Sequence, residues 1–120
     1  MAKITRNWEA IQATIANASS ISGCVINAGR PIVGLLMPEV WTAACVTFDV
    51  AACEGGTFYE LYSDGNQVVR MNGAACRAMA PCLILDKLAS WWAFRIRSGC
   101  GAASPTDQGA ARVFTAFLQG

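Results

Sequence analysis

The feature that most constrains this chain is the recurrence of short apolar runs with the period of a strand, spaced at about ten residues and cut by turn formers. "WWAFRIRS" is the clearest run: alternation sends Trp92, Phe94 and Ile96 one way and Trp91, Ala93, Arg95 and Arg97 the other. In "CVTFDV", Val46, Phe48 and Val50 alternate with Cys45, Thr47 and Asp49, as expected for a strand buried on one face. "SISGCVIN", "IVGLLMP", "TFYELYS", "QVVRM" and the closing "ARVFTAFL" follow the same pattern, with "CRAMAP" and "CLIL" weaker and broken by Pro81. Between them stand "AGRP", "EGG" and "SDGN", the last a strong hairpin turn. "DKLAS" has room for no more than one helical turn. About eight to ten strands without a long helix predict an all-β, jelly-roll-like antiparallel β-sandwich in one domain. Phe48, Phe94 and Phe114 should meet in its core.

The N-terminal stretch is different. Ile4, Trp8, Ile11 and Ile15 have helical spacing, but the loop-rich text after them favours strands. Met1 to Glu9 is expected to be an arm, with residues 10–120 forming the sandwich and the first strand near Ile11 to Ala16. Ile4 and Trp8 are the arm's candidate anchors for a neighbouring subunit; the alternative is a tail folded onto its own domain.

Composition narrows the functional classes. The 120 residues are 54% hydrophobic and only 14% charged, and a surface so poor in charge tends to be covered by neighbours. A net charge of +1 gives no basic excess for nucleic acid. No apolar run is long enough to span a membrane, and the first residues lack the apolar centre of a secretion signal, so folding in a cytosol is expected. The six cysteines form no C-x-x-C pair, and the absence of histidine leaves no mixed zinc set. They are expected to be small buried thiols, with short bridges Cys76–Cys82 or Cys45–Cys53 as the alternative.

No catalytic residue, metal ligand or cofactor site stands out. A Ser-His-Asp or Cys-His arrangement needs an imidazole, and the phosphate-cradling G-x-x-x-x-G-K pattern is missing. Asp64-Gly65-Asn66 is a turn rather than a calcium loop, since the spaced carboxylates are not there. Glu39, Glu54, Glu60, Asp64 and Asp86 are the acids available for paired-carboxylate chemistry, and nothing brings two of them together. The chain is expected not to be an enzyme. Trp91, flanked on its side by Arg95 and Arg97, has the composition of a protein-protein contact, and cation-π packing of Trp91 with Arg95 is expected. Trp41, Tyr59 and Tyr62, with Trp91, are the candidates for a sugar-stacking platform, the alternative reading.

Several short motifs occur in a fixed order: Met37-Pro38, Trp41-Thr42-Ala43, Thr47-Phe48, Arg97-Ser98-Gly99 and Gln108-Gly109-Ala110-Ala111-Arg112. In that order, over roughly residues 13 to 118, the chain resembles small β-sandwich virion proteins of tailed bacteriophages and gene transfer agents. It departs from them in its cysteines and its longer N-terminal arm. The resemblance implies a capsid decoration (cement) protein, a head-spike base, or a neck or tail accessory. Its partners would be the major capsid protein or other virion proteins and copies of itself, in a particle assembled in the host cytoplasm. The resemblance brings no catalytic residues or cofactor with it. A carbohydrate- or receptor-binding accessory on the virion is the alternative.

Overall fold

The structure, a computed structural model, describes residues 8–62, 70–72, 78–79, 88, 91–101 and 105–119. Among these the chain is all-β with no helix. The strands are β1 (Trp8–Ile15), β2 (Ile21–Ile26), β3 (Ile32–Leu36), β4 (Cys45–Ala51), β5 (Tyr59–Glu60), β6 (Arg70–Asn72), β7 (Ala78–Met79), β8 (Ala93–Ser98) and β9 (Arg112–Gln119). Every pairing is antiparallel. One curled sheet runs β5-β4-β8-β2-β1-β9-β3-β7, with β6 sharing the β4 edge with β5. The expected runs "CLIL" and "DKLAS" and the "SDGN" turn lie outside the described residues, apart from Leu88.

The curl wraps the two halves of the sheet around one core. From β1, β9 and β3 come Ala13, Ile15, Phe114, Ala116, Leu118, Ile32 and Leu35; from β2, β4 and β8 come Val25, Val46, Phe48, Val50, Phe94 and Ile96. Phe48 meets Phe94 edge-on at 6.2 Å, and Trp41 meets Phe114 edge-on at 5.4 Å, the offset geometry that ring quadrupoles favour. The three expected core phenylalanines are thus in place, each at most 1% exposed. The half-sheets are joined between β1 and β2, where Ile15 registers with Ser22.

Three expectations are corrected. The first strand begins at Trp8, not near Ile11, because β1 pairs with β9 along its full length, from Trp8↔Gln119 to Ile15↔Arg112. Tertiary pairing overrides the helical spacing of Trp8, Ile11 and Ile15, as it commonly does for weak local signals. Second, β4 is buried on both faces: Thr47 is 0% and Asp49 4% exposed. Third, β8 begins at Ala93, so its alternation does not extend back to the tryptophans. Trp91 packs against the core, while Trp92 does not join it and faces the outer side, each half-buried.

The cysteines also depart from the buried-thiol expectation. Cys45 and Cys100 form a disulfide with Cα atoms 5.0 Å apart, tying the start of β4 to the turn after β8. Cys24 and Cys53 are free and exposed, so neither fills the core and Cys53 is not paired with Cys45. Cys76 and Cys82 lie outside the described residues.

Candidate functional site

The outer face of β4 and β8 carries the charge. The register sets Glu60, Asp49, Arg95 and Cys24 in one row across β5, β4, β8 and β2. Asp49 accepts from Arg97 at 2.7 Å and from Arg95 at 3.0 Å, and Arg97 also reaches Glu60 at 3.6 Å. The Asp49 and Arg97 side chains are 6% and 10% exposed, so this is a desolvated ion network. Breaking one member would strand the others, which makes the network hard to change. Arg95 lies over the Phe58 ring, 4.3 Å from its centroid, and this contact replaces the expected one with Trp91. Glu60 also pushes the exposed Tyr62 phenol above its usual pKa, first by hydrogen bonding to it and then by its negative charge. Glu60 is therefore brought beside a second carboxylate after all, but the neighbour is Asp49 and Arg97 bridges the two.

A buried polar hub sits at the end of the sheet where β8 finishes and β9 begins. Gln108 is 1% exposed, and its amide oxygen accepts from Thr42 N (2.9 Å) and Arg112 Nε (3.1 Å). Its amide nitrogen donates to Ser98 Oγ (2.7 Å) and Thr42 O (3.1 Å). Its backbone pairs with Ser19 O and Ala18 N, and Arg112 Nη2 reaches Thr42 Oγ1. The Trp41-Thr42-Ala43, Arg97-Ser98-Gly99 and Gln108-to-Arg112 motifs, far apart in sequence, thus converge on one side chain. Their chemistry is that of a staple: every polar atom of the Gln108 amide is engaged within the fold.

The outer face of the other half-sheet is of opposite character. Alternating with core residues, Ala10, Gln12 and Thr14 of β1, Val113, Thr115, Phe117 and Gln119 of β9, and Gly34 and Leu36 of β3 point outward. They align in rows such as Gln12–Thr115–Leu36 and Ala10–Phe117–Gly34. None is ionisable. Leu36 and Val113 are 40% and 42% exposed, and beyond the end of the strands Val40 is 62% exposed. Pro38, Glu39, Val40, Ala111, Arg112 and Val113 border an open hollow of about 400 Å³ there, so the charges of Glu39 and Arg112 lie at the end of this face.

A smaller hollow, about 170 Å³, lies on the outer side at the opposite end, where β2 and β4 finish and β8 starts. Ile26, Ala51, Ala93, Phe58 and Trp92 line it with the free Cys24 and Cys53, and Glu54 is the ionisable carboxylate at its rim. The backbone turn Cys53 to Gly56, closed by Gly56 N donating to Cys53 O, forms one wall. A Cβ at position 56 would stand 2.9 Å from that carbonyl, so glycine is required there.

The expected site residues are dispersed over these features. Ile4 lies outside the described residues, and Trp8 is held by its backbone in β1. Trp91 packs on the core, away from Arg95 and Arg97, and Arg97 is spent in the buried network. Trp41 is likewise half-buried, donating from Nε1 to Ala44 O. Tyr59 (68% exposed) and Tyr62 (48%) are exposed in and just after β5, whereas Trp41 and Trp91 pack against the core, so the four rings form no single platform. Reading the sequence missed Asp49 and the uncharged face; a lone acid inside an apolar run was the available signal for Asp49. No family model, curated protein or solved structure matches the chain.

Proposed function

We propose that the chain is a structural protein of a tailed-bacteriophage virion, a jelly-roll-like β-sandwich that decorates or cements the head without catalysing a reaction. The observation that carries the contact reading is the uncharged outward face of β1, β9 and β3. Such a face loses little on desolvation, because no ion must leave water, and gains from covering Leu36, Val113 and Phe117. Its position on paired strands makes it stiff, so little side-chain or loop entropy is lost on docking. The virion part of the reading is supported by the ordered motifs from Met37-Pro38 to Arg112. The Cys45–Cys100 bond suits a particle released into an oxidising medium. The partners are the major capsid protein or its neighbours, and many identical copies multiply a modest contact.

Co-sedimentation with heads lacking this component tests the proposal. The wild-type chain should pellet with heads, and Val113→Arg or Leu36→Asp should stay in solution while keeping the wild-type circular dichroism. Failure of the wild-type chain to pellet would overturn the head assignment. Retention of a glycan by Tyr59 or Tyr62 on an array would then favour the receptor-binding accessory.

A further inference from the structure

We propose that the 170 Å³ hollow between β2, β8 and the turn after β4 is a socket for Ile4 of a second copy of this chain. This deepens the contact reading and rests on it only in requiring that copies meet.

Size comes first. A dry cavity of about 150 Å³ accommodates one benzene-sized group, so this hollow takes a single branched or aromatic side chain. Its wall is apolar, with Ile26 51% exposed, Phe58 and Trp92 half-buried, and the thiols of Cys24 and Cys53 accessible. Charge comes next. Residues 1–7, "MAKITRN", carry Lys3 and Arg6 and no acid, while the ionisable carboxylate lining the hollow is that of Glu54. In an extended segment, Ile4 and Arg6 share a side about 7 Å apart, so one can enter the hollow while the other meets Glu54 at its rim.

Direction then selects the donor. β1 and β2 are antiparallel, so the Trp8 end of β1 lies at the same end of the sheet as Ile26. Going from Trp8 toward residue 1, β1 points off that end. Ile4, within about 14 Å of Trp8, would have to double back to enter its own hollow. A second copy meeting this end presents its segment head-on.

The hollow carries its own reporters. Ile4→Cys in a Cys76→Ser/Cys82→Ser background, treated with oxidised glutathione, should give covalent dimers and longer chains. Peptide mapping should place the bond between the new thiol and Cys24 or Cys53, with yield rising with protein concentration. Adding Glu54→Lys should lower that yield at least about threefold by like-charge repulsion of Lys3 and Arg6. In the unaltered protein, maleimide labelling of Cys24 and Cys53 should slow about tenfold as copies associate, and Ile26→Asp at the exposed rim should abolish the slowing. Bonds formed within one chain at every concentration would assign the hollow to its own N-terminal segment and overturn the proposal. So would cross-linking no greater than the background without Ile4→Cys, together with labelling that ignores concentration. Heads are not used, so failure here leaves the head-binding test untouched.

Discussion

Replacing Gln108 by alanine should be among the most destabilising single polar changes in this fold. The amide makes four hydrogen bonds, to Thr42 N, Thr42 O, Ser98 Oγ and Arg112 Nε. Thr42 is exposed and its backbone groups rehydrate, so those two losses are small. Ser98 is 0% and Arg112 9% exposed, and both are left with a stranded polar group where water is scarce. At about 1–3 kcal/mol for the neutral partner and a similar or larger loss for the charged one, the total is about 3–5 kcal/mol. Against a typical domain's stability of about 5–15 kcal/mol, that is a loss of about a fifth at the least. Gln108→Glu separates geometry from chemistry. It keeps the acceptor for Thr42 N and Arg112 but sets a carboxylate oxygen against Thr42 O, so it should cost less than alanine. Its cost should shrink further as acid restores a proton that can donate to Thr42 O or Ser98 Oγ. Urea unfolding followed by tryptophan fluorescence, with the disulfide intact, gives both numbers by linear extrapolation. An alanine variant within about 1 kcal/mol of wild type would refute the hub as a staple, because stranded buried groups cannot be that cheap.

The other predictions draw on separate parts of the molecule. Phe94→Ala should cost about 3–5 kcal/mol by urea unfolding, since the ring is 1% exposed and packs edge-on against Phe48. Asp49→Ala leaves Arg97 buried beside Glu60 alone and should cost about 3–5 kcal/mol, whereas the distant exposed pair Arg30–Glu9 should contribute less than about 1 kcal/mol in a double-mutant cycle. Reducing Cys45–Cys100, which closes a loop of sequence separation 55, should lower stability by about 4 kcal/mol if chain entropy dominates; thiol titration before and after reduction verifies the bond. The chain has two tyrosines, so Tyr59→Phe isolates Tyr62 for spectrophotometric titration. Glu60→Gln should then bring the Tyr62 pKa down toward its ordinary value, because the carboxylate that resists phenolate formation is gone.

What the sequence made legible follows from how far each signal reaches along the chain. Strands β2, β3, β4, β8 and β9 were visible because alternation is local, and Phe48, Phe94 and Phe114 went to the core on period alone. The start of β1 was not, because its pairing with β9 joins Trp8 to Gln119 across nearly the whole chain and no window contains both. Trp91 and Trp92 were exchanged because alternation was extended past Ala93, where the backbone bends and the period stops. Cys45–Cys100 was missed for the same reason as β1: the partners meet only once β4 and β8 pair and bring Val46 beside Ser98. Alternation alone puts Asp49 on the outward side of a half-exposed strand, whereas Arg95 and Arg97 from the neighbouring strand cover it.

The resemblance motifs bear on function in a way their sequence order did not suggest. Thr42, Ser98, Gln108 and Arg112 spend their polar groups on one another inside the fold, so they can hold three loops in register but have little left to offer a partner. The network of Asp49, Arg95, Arg97 and Glu60, on the outer face of β4 and β8, is likewise spent on its own members, and removing any member destabilises the sheet before it informs on binding. Among the described residues, what remains for recognition is the surface that neither network uses: the uncharged outward face of β1, β9 and β3, and the thiol-lined hollow at the end of β2. These lie on separate half-sheets. A subunit using the first for a large partner and the second for its neighbour meets both without steric competition, and substitutions in one should leave contacts through the other unchanged. Val113→Arg should therefore abolish pelleting with heads and leave the concentration-dependent protection of Cys24 and Cys53 intact, whereas Ile26→Asp should do the reverse. Loss of both properties from either substitution would mean that the two faces serve a single interface.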